Sequence, residues 1–135
     1  MKNKMQSLMI FLLLTTSVMI AQNQVSLLEM DKVKEYLTLN EKQIESINKI
    51  VGQIKEIIEE DNKVIEKVKE RVKNNDEPGF FEKIGVKRGH DKRASKIEDL
   101  IDEIEDHLND QQKQKYKNIE KPELKPLKKE EIFGK

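Results

Sequence analysis

The chain contains no cysteine and no tryptophan, and it has only four phenylalanines, two tyrosines, three prolines and five glycines among 135 residues. Without cysteine it can form neither disulfides nor thiolate metal sites, so helix packing, helped by oligomerisation, must stabilise it. Basic and acidic residues are equal in number, 26 of each, so the net basic surface that nucleic-acid binding needs is missing. No segment alternates apolar and polar residues with a period of two, which favours an all-α fold.

Long hydrophobic runs are also scarce, and the clearest one is Leu8–Ile20. It follows Lys2 and Lys4, and the small residue Ala21 comes directly after it. The run is about 13 residues long, shorter than the ~20 that a membrane-spanning helix needs. A basic start, an apolar core and a small residue predict a secretory signal peptide at residues 1–21.

Cleavage after Ala21 is the favoured interpretation, and an uncleaved N-terminal anchor is the alternative because Met19 is not a small residue. The cleaved protein is expected in the periplasm with no stable membrane span. Its net charge would be 24 − 26 = −2, since Lys2 and Lys4 are removed. Residues 22–121 are expected to form one helical domain, followed by a mobile charged tail at residues 122–135.

The helices are predicted from apolar periodicity. A short helix is expected at Ser26–Leu37 and a long one at Asn40–Lys73, about 50 Å at 1.5 Å per residue. The long helix carries apolar residues at alternating steps of three and four, with Asp61 as a polar interruption. Such a stripe must be covered by an elongated hairpin or by a dimer. Its members are Ile44, Ile47, Val51, Ile54, Ile58, Ile65, Val68 and Val72.

The second half of the chain is less regular. Pro78 and Gly79 end the long helix, and because glycines recur in Phe80–Arg93 this stretch is expected to be a loop or broken helix. A third helix is predicted to begin at Ser95, which with Glu98 has the pattern of a capping box. A fourth, weaker helix is predicted after Asn109.

One short motif occurs twice, as Leu39-Asn40-Glu41-Lys42-Gln43 and as Leu108-Asn109-Asp110-Gln111-Gln112. Both copies read L-N-x-x-Q. Asparagine is a strong helix N-cap, and glutamine three residues later can complete a capping box. The two copies therefore predict two helix starts, at Asn40 and at Asn109.

With these paired motifs, the export signal and the lack of cysteine, the chain resembles the LTXXQ-motif family of periplasmic Spy and CpxP proteins. The similar stretches are YLTLNEKQIESINKIVGQIKEIIEE and HLNDQQKQKYKNI, with asparagine where the family has threonine. The resemblance implies an elongated helical hairpin of about four helices that forms a cradle-like antiparallel homodimer. It also implies ATP-independent binding of unfolded or partly folded envelope proteins, or regulation of an envelope-stress sensor.

Candidate contacts with clients or with a second subunit come from two regions. The long helix offers apolar side chains, and the predicted loop offers an aromatic pair that either tucks under the turn or forms an exposed apolar contact. These candidates are Ile47, Ile54, Ile58, Ile65, Phe80 and Phe81.

Metal binding and catalysis are weaker hypotheses. The two histidines, His90 beside Asp91 and His107 in an acidic run, are the candidate metal ligands, but an ordinary partly buried or surface histidine is the commoner explanation. No phosphate-binding loop or nucleophile system is recognisable, so a non-enzyme without a cofactor is expected. The open alternatives to a chaperone are a regulator that docks on a sensor kinase or anti-sigma partner, a client-free hairpin dimer, and a metal-responsive protein.

Overall fold

The structure is a computed structural model that describes residues 24–133, so the predicted signal peptide lies outside the described residues. Within that range the fold is all-α, as predicted, with one isolated β-bridge between Ser26 and Glu120 and no β-strand. No helix in this part of the chain is long and apolar enough to cross a bilayer. Residues 24–133 form five helices, α1 (Met30–Leu37), α2 (Glu41–Lys73), α3 (Phe80–Asp106), α4 (Asp110–Tyr116) and α5 (Lys129–Phe133).

The long α2 helix lies where the periodicity predicts it. Asn40 is its N-cap, with an extended backbone and a side chain that accepts from the Gln43 amide at 2.9 Å. At the other end Asn75 adopts a left-handed conformation with φ 60°, and the Asp76 amide donates to the Arg71 carbonyl at 2.9 Å. This turn reverses the chain, so α3 packs antiparallel along α2 as a helical hairpin.

The expectation of a loop at Phe80–Arg93 is wrong, because α3 is continuous from Phe80 to Asp106. Gly85 and Gly89 lie inside this helix, and neither has a positive φ. Glycine inside a helix costs about 1 kcal/mol relative to alanine, a cost that packing against α2 can offset.

The expected helix start at Ser95 is also wrong. Ser95 is an exposed residue in the middle of α3, so its capping-box pattern with Glu98 has no free helix end to cap. Helix α1 is shorter than predicted, because the chain from Ser26 to Glu29 forms a turn and the Leu27 amide donates to the Glu120 carbonyl at 2.9 Å.

The core lies between α1, α2, α3 and α4, and the apolar stripe of α2 faces it. A single chain thus covers most of this stripe, and a dimer is not required to bury it. The buried members of the core are Leu27, Val33, Leu37, Ile47, Ile50, Val51, Ile54, Ile97, Leu100, Ile104, Leu108, Tyr116 and Ile119.

The C-terminal segment differs from the expected mobile tail over the part that is described. Residues 122–133, here called the C-terminal strap, run back over the fold, and α5 packs on α2. Ile132 is only 1% exposed. The charge-rich composition predicted a solvated tail, but one buried isoleucine anchors the strap.

Candidate functional site

Each L-N-x-x-Q motif forms the helix cap that its sequence predicts. The Asn40 side chain accepts from the Gln43 amide at 2.9 Å, and the Gln43 side chain accepts from the Asn40 amide at 3.1 Å. At the second copy the same two bonds join Asn109 and Gln112 at 2.9 and 3.0 Å. Both capping boxes are therefore complete.

The structure also brings the two motifs together. The Gln43 Nε2 atom donates to Gln112 Oε1 at 2.8 Å, and Gln112 Nε2 lies 3.1 Å from Gln43 Oε1. The two side-chain amides thus form a reciprocal pair although they are 69 residues apart in sequence. Gln112 is buried, so its bonds are shielded from water.

Each glutamine uses its remaining N–H on the end of the helix that precedes the other motif. Gln43 donates to the His107 carbonyl at 2.8 Å, and Gln112 donates to the Leu37 carbonyl at 3.1 Å. These carbonyls belong to helix ends, which lack partners inside their own helices. Leu39 and Leu108 flank this pairing, with Leu108 in the core and Leu39 packed against it. We call this hydrogen-bonded unit the glutamine clasp.

Sequence reasoning identified the caps but missed the clasp. The signal was present in the repetition itself, because each motif begins directly after the C-cap residue of a helix, Thr38 in one case and His107 in the other. Two similar helix-to-helix junctions can satisfy each other by exchanging equivalent bonds. The motif alone does not specify that exchange, since it depends on the hairpin bringing both junctions to the same end.

The candidate contacts on α2 are largely inaccessible. Ile47 and Ile54 are fully buried in the core, and Ile65 is also buried. Ile58 is partly buried and packs against the core cluster. An apolar α2 face open to clients is therefore not present in this fold.

The phenylalanine pair lies at the opposite end of the hairpin from the clasp. Phe80 and Phe81 are 69% and 85% exposed, so they do not tuck under the turn. Their rings are 5.6 Å apart in an edge-to-face arrangement, with planes at 74°. Both belong to the first turn of α3 and follow Gly79, whose extended backbone forms the N-cap. Tyr36 is the other large hydrophobic side chain that is exposed in the described chain, at 37%.

Ion pairs fix the turn beneath the phenylalanines. Arg71 Nε donates to Asp76 Oδ2 at 2.9 Å, and the same guanidinium also pairs with Glu82. Arg71 therefore connects α2, the turn and the start of α3. These groups are solvent-exposed, so the pairs add little to stability and serve mainly to orient the turn.

A buried polar cluster joins the middle of α2 to α3. Asp61 is 3% exposed, and each of its carboxylate oxygens lies 3.0 Å from His90 Nδ1. Arg93 Nε donates to Asp61 Oδ1 at 2.8 Å. Asp61, the polar interruption of the stripe, thus forms hydrogen bonds with partners from the stretch that was expected to be a loop.

The candidate metal ligands do not meet. His90 pairs with Asp61, whereas the adjacent Asp91 is exposed and accepts from Lys87 Nζ at 2.6 Å. His107 is exposed at the end of α3, and its carbonyl belongs to the clasp. Between residues 24 and 133, no group of three or more His, Asp or Glu side chains is placed to hold a metal ion.

One buried titratable group lies below the clasp. Tyr116 is fully buried, and its hydroxyl donates to the Ile101 carbonyl at 3.0 Å. Burial, with smaller contributions from the charges of Glu105 and Asp102, raises the pKa of this phenol above its usual range. The Lys121 ammonium lies 4.0 Å from the centre of the Tyr116 ring, and burial lowers the pKa of Lys121. The arrangement is that of a tyrosine packed in the core, with its hydroxyl bonded to the backbone, rather than of a reactive site.

Comparisons with known proteins give no relative. No protein-family model matches the chain, and no curated protein or solved structure is significantly similar to it.

Proposed function

We propose that this is an exported, chaperone-like protein that binds unfolded or partly folded envelope proteins without ATP. The proposal combines the expected export signal with the resemblance to the Spy and CpxP proteins. The paired motifs support that resemblance, since both copies cap helices and both belong to one clasp. A protein of this kind acts by binding alone and needs no catalytic residue.

The observation that carries the proposal is the exposed phenylalanine pair. Because the α2 stripe is largely buried, client contact must come from another apolar surface. Phe80 and Phe81 supply one at the hairpin turn. Aromatic side chains that stay exposed on a charged surface are typical of protein-binding sites. Two rings make a small contact, which suits weak and rapidly reversible capture.

Charged residues around the pair favour release. Glu77, Glu82 and Lys83 flank it in sequence, and Arg71 lies beneath it. Charges of both signs keep attraction to any one client weak and dependent on ionic strength. The proposed mechanism is therefore brief contact with many exposed apolar segments rather than tight binding of one.

The test is an aggregation assay with a chemically denatured client at low ionic strength. The protein is expected to slow aggregation, and the double variant Phe80→Ser with Phe81→Ser is expected to lose most of this effect. Tyr36→Ser is the matched control, since it removes an exposed aromatic side chain elsewhere on the surface. The proposal is rejected if wild type has no effect at several-fold molar excess, or if the double variant and the control behave alike.

A regulatory role is the second candidate, because the ion pairs of Arg71 hold the phenylalanine pair in a defined orientation. An ordered contact suits docking on one sensor-protein partner. Titration calorimetry separates the two roles. Saturable one-to-one binding to a single envelope sensor, with no effect on client aggregation, would favour regulation.

A further inference from the structure

The C-terminal strap is attached to the rest of the fold by side-chain contacts rather than by backbone hydrogen bonds. Among the described residues, the backbone hydrogen bonds that tie this end of the chain to other elements stop at Glu120, whose amide donates to the Val25 carbonyl at 2.9 Å. Beyond that point the chain contains Pro122 and Pro126 and has no regular structure until α5. Side chains hold residues 122–133 in place, among them Leu124, which packs against the core cluster, and the buried Ile132.

The strap covers an apolar part of α2 that lies outside the main core. Ile65 and Val68 are 8% and 5% exposed, and neither belongs to the core cluster. Helix α5 packs on α2 and buries Ile132. One ion pair adds to this contact, with Lys69 Nζ 3.9 Å from Glu131 Oε1. We call the surface of α2 around Ile65, Val68 and Lys69 the strap groove.

The strap and α2 together line a surface cleft. This cleft of about 440 Å³ is open to solvent and is lined on the strap side by Pro126, Leu127 and Glu131 and on the α2 side by residues that include Asp61 and Ile65. The entropy lost by ordering twelve residues favours a strap that opens readily.

We propose that the strap is an autoinhibitory segment and that the groove beneath it is a second binding site for unfolded clients. This inference rests on the proposed function, since it gives the client a further contact on the same hairpin. The strap itself indicates the ligand chemistry. It presents Leu127 and Ile132, five residues apart, with Glu131 facing Lys69. The groove thus suits a segment with two aliphatic side chains and a carboxylate next to the second.

The strap and a client segment compete for one surface. A groove that is open for only a fraction of the time binds an added ligand with an affinity reduced by that fraction. Weakening the strap without changing α2 therefore strengthens binding of an added segment. A strap that merely completes the fold predicts the reverse, because its loss would damage the surface that it covers.

The experiment uses the full chain and a fluorescent peptide with the sequence of residues 122–135. In Glu131→Lys the groove keeps Lys69, but the strap loses its ion pair and gains a repulsion. Anisotropy is expected to show about two- to fivefold tighter peptide binding than to wild type, the range of an exposed ion pair. Glu130→Lys is the matched control, because it makes the same charge change at the neighbouring exposed residue, which forms no ion pair with any other residue between 24 and 133. The control should bind like wild type.

Ile132→Ser gives a larger release, with peptide binding at least about tenfold tighter than to wild type, since it removes the buried anchor. Circular dichroism must show unchanged helix content, and Glu131→Lys keeps the test valid if Ile132→Ser unfolds. Equal peptide affinity for wild type, Glu131→Lys and folded Ile132→Ser would overturn the proposal. Peptide binding reports on the strap and client aggregation reports on the proposed function, so each can fail without the other.

Discussion

The glutamine clasp gives the sharpest prediction about the fold. Replacing Gln112 with alanine removes the acceptor for the Asn109 amide, the donor to the Leu37 carbonyl and the reciprocal pair with Gln43. A net hydrogen bond contributes about 0.5–1.5 kcal/mol, and a buried group left without a partner costs about 1–3 kcal/mol. We expect Gln112→Ala to lower the free energy of unfolding by about 2–4 kcal/mol. That is a large part of the ~5–15 kcal/mol that stabilises a typical domain.

The assay is urea unfolding followed by circular dichroism at 222 nm, with a double-mutant cycle. Gln43→Ala removes the other half of the pair, so the double variant should be less destabilised than the sum of the single effects by about 1–2 kcal/mol. Gln111→Ala is the control, because this neighbour is exposed and lies outside the clasp, and it should change stability by less than about 0.5 kcal/mol. Additive single effects, or a Gln112→Ala variant as stable as the control, would refute the clasp.

Two further predictions test α3 and the buried tyrosine. Gly85→Ala should raise stability by about 0.5–1 kcal/mol in urea unfolding, because a Cβ there meets nothing within 4 Å and alanine is the better helix former, whereas a loop at this position would give no gain. Gly89→Ala should gain less, since its Cβ would lie 3.3 Å from Arg93 Nη1. Above about pH 10 the unfolded chain ionises Tyr116 and the folded chain does not, so stability should fall as pH rises, and less steeply in Tyr116→Phe. Equal slopes from pH 9 to 11 would contradict the raised pKa.

The sequence predicts the first half of the hairpin well. Helix α2 has strong apolar periodicity and a capping box, and both act within a single helix, so its bounds follow from local rules. The second half is decided by contacts between helices. Gly85 and Gly89 weaken the local preference for helix, and Asp61 of α2 provides the partner that fixes His90 and Arg93 on a continuous α3. A single-sequence pattern carries no information about such a partner.

In the candidate site, too, the features set by local rules were predictable from the sequence, and those set by contacts between helices were not. The caps at Asn40 and Asn109 follow from the motif, but the clasp requires both junctions to be at one end of the hairpin. The exposure of Phe80 and the burial of Ile65 were likewise not predictable, because each depends on what covers the position. Near Ile65 the C-terminal strap is part of that cover, although its composition predicted a solvated tail.

The clasp and the Asp61 cluster together explain how a charge-rich helical chain adopts one hairpin register. Gln43 and Asp61 lie 61 − 43 = 18 residues apart on α2, about 27 Å along the helix. A slip of α3 by a heptad would keep apolar faces together, so hydrophobic packing alone discriminates weakly against it. It would, however, separate Asp61 from His90 and Gln43 from the end of α3, leaving buried polar groups without partners. The contacts of Gln43 and of Asp61, at two positions along α2, therefore disfavour the slipped hairpins. They also fix the phenylalanine pair at the turn. The position of the proposed binding surface at Phe80 and Phe81 is therefore set by polar residues that lie outside that surface.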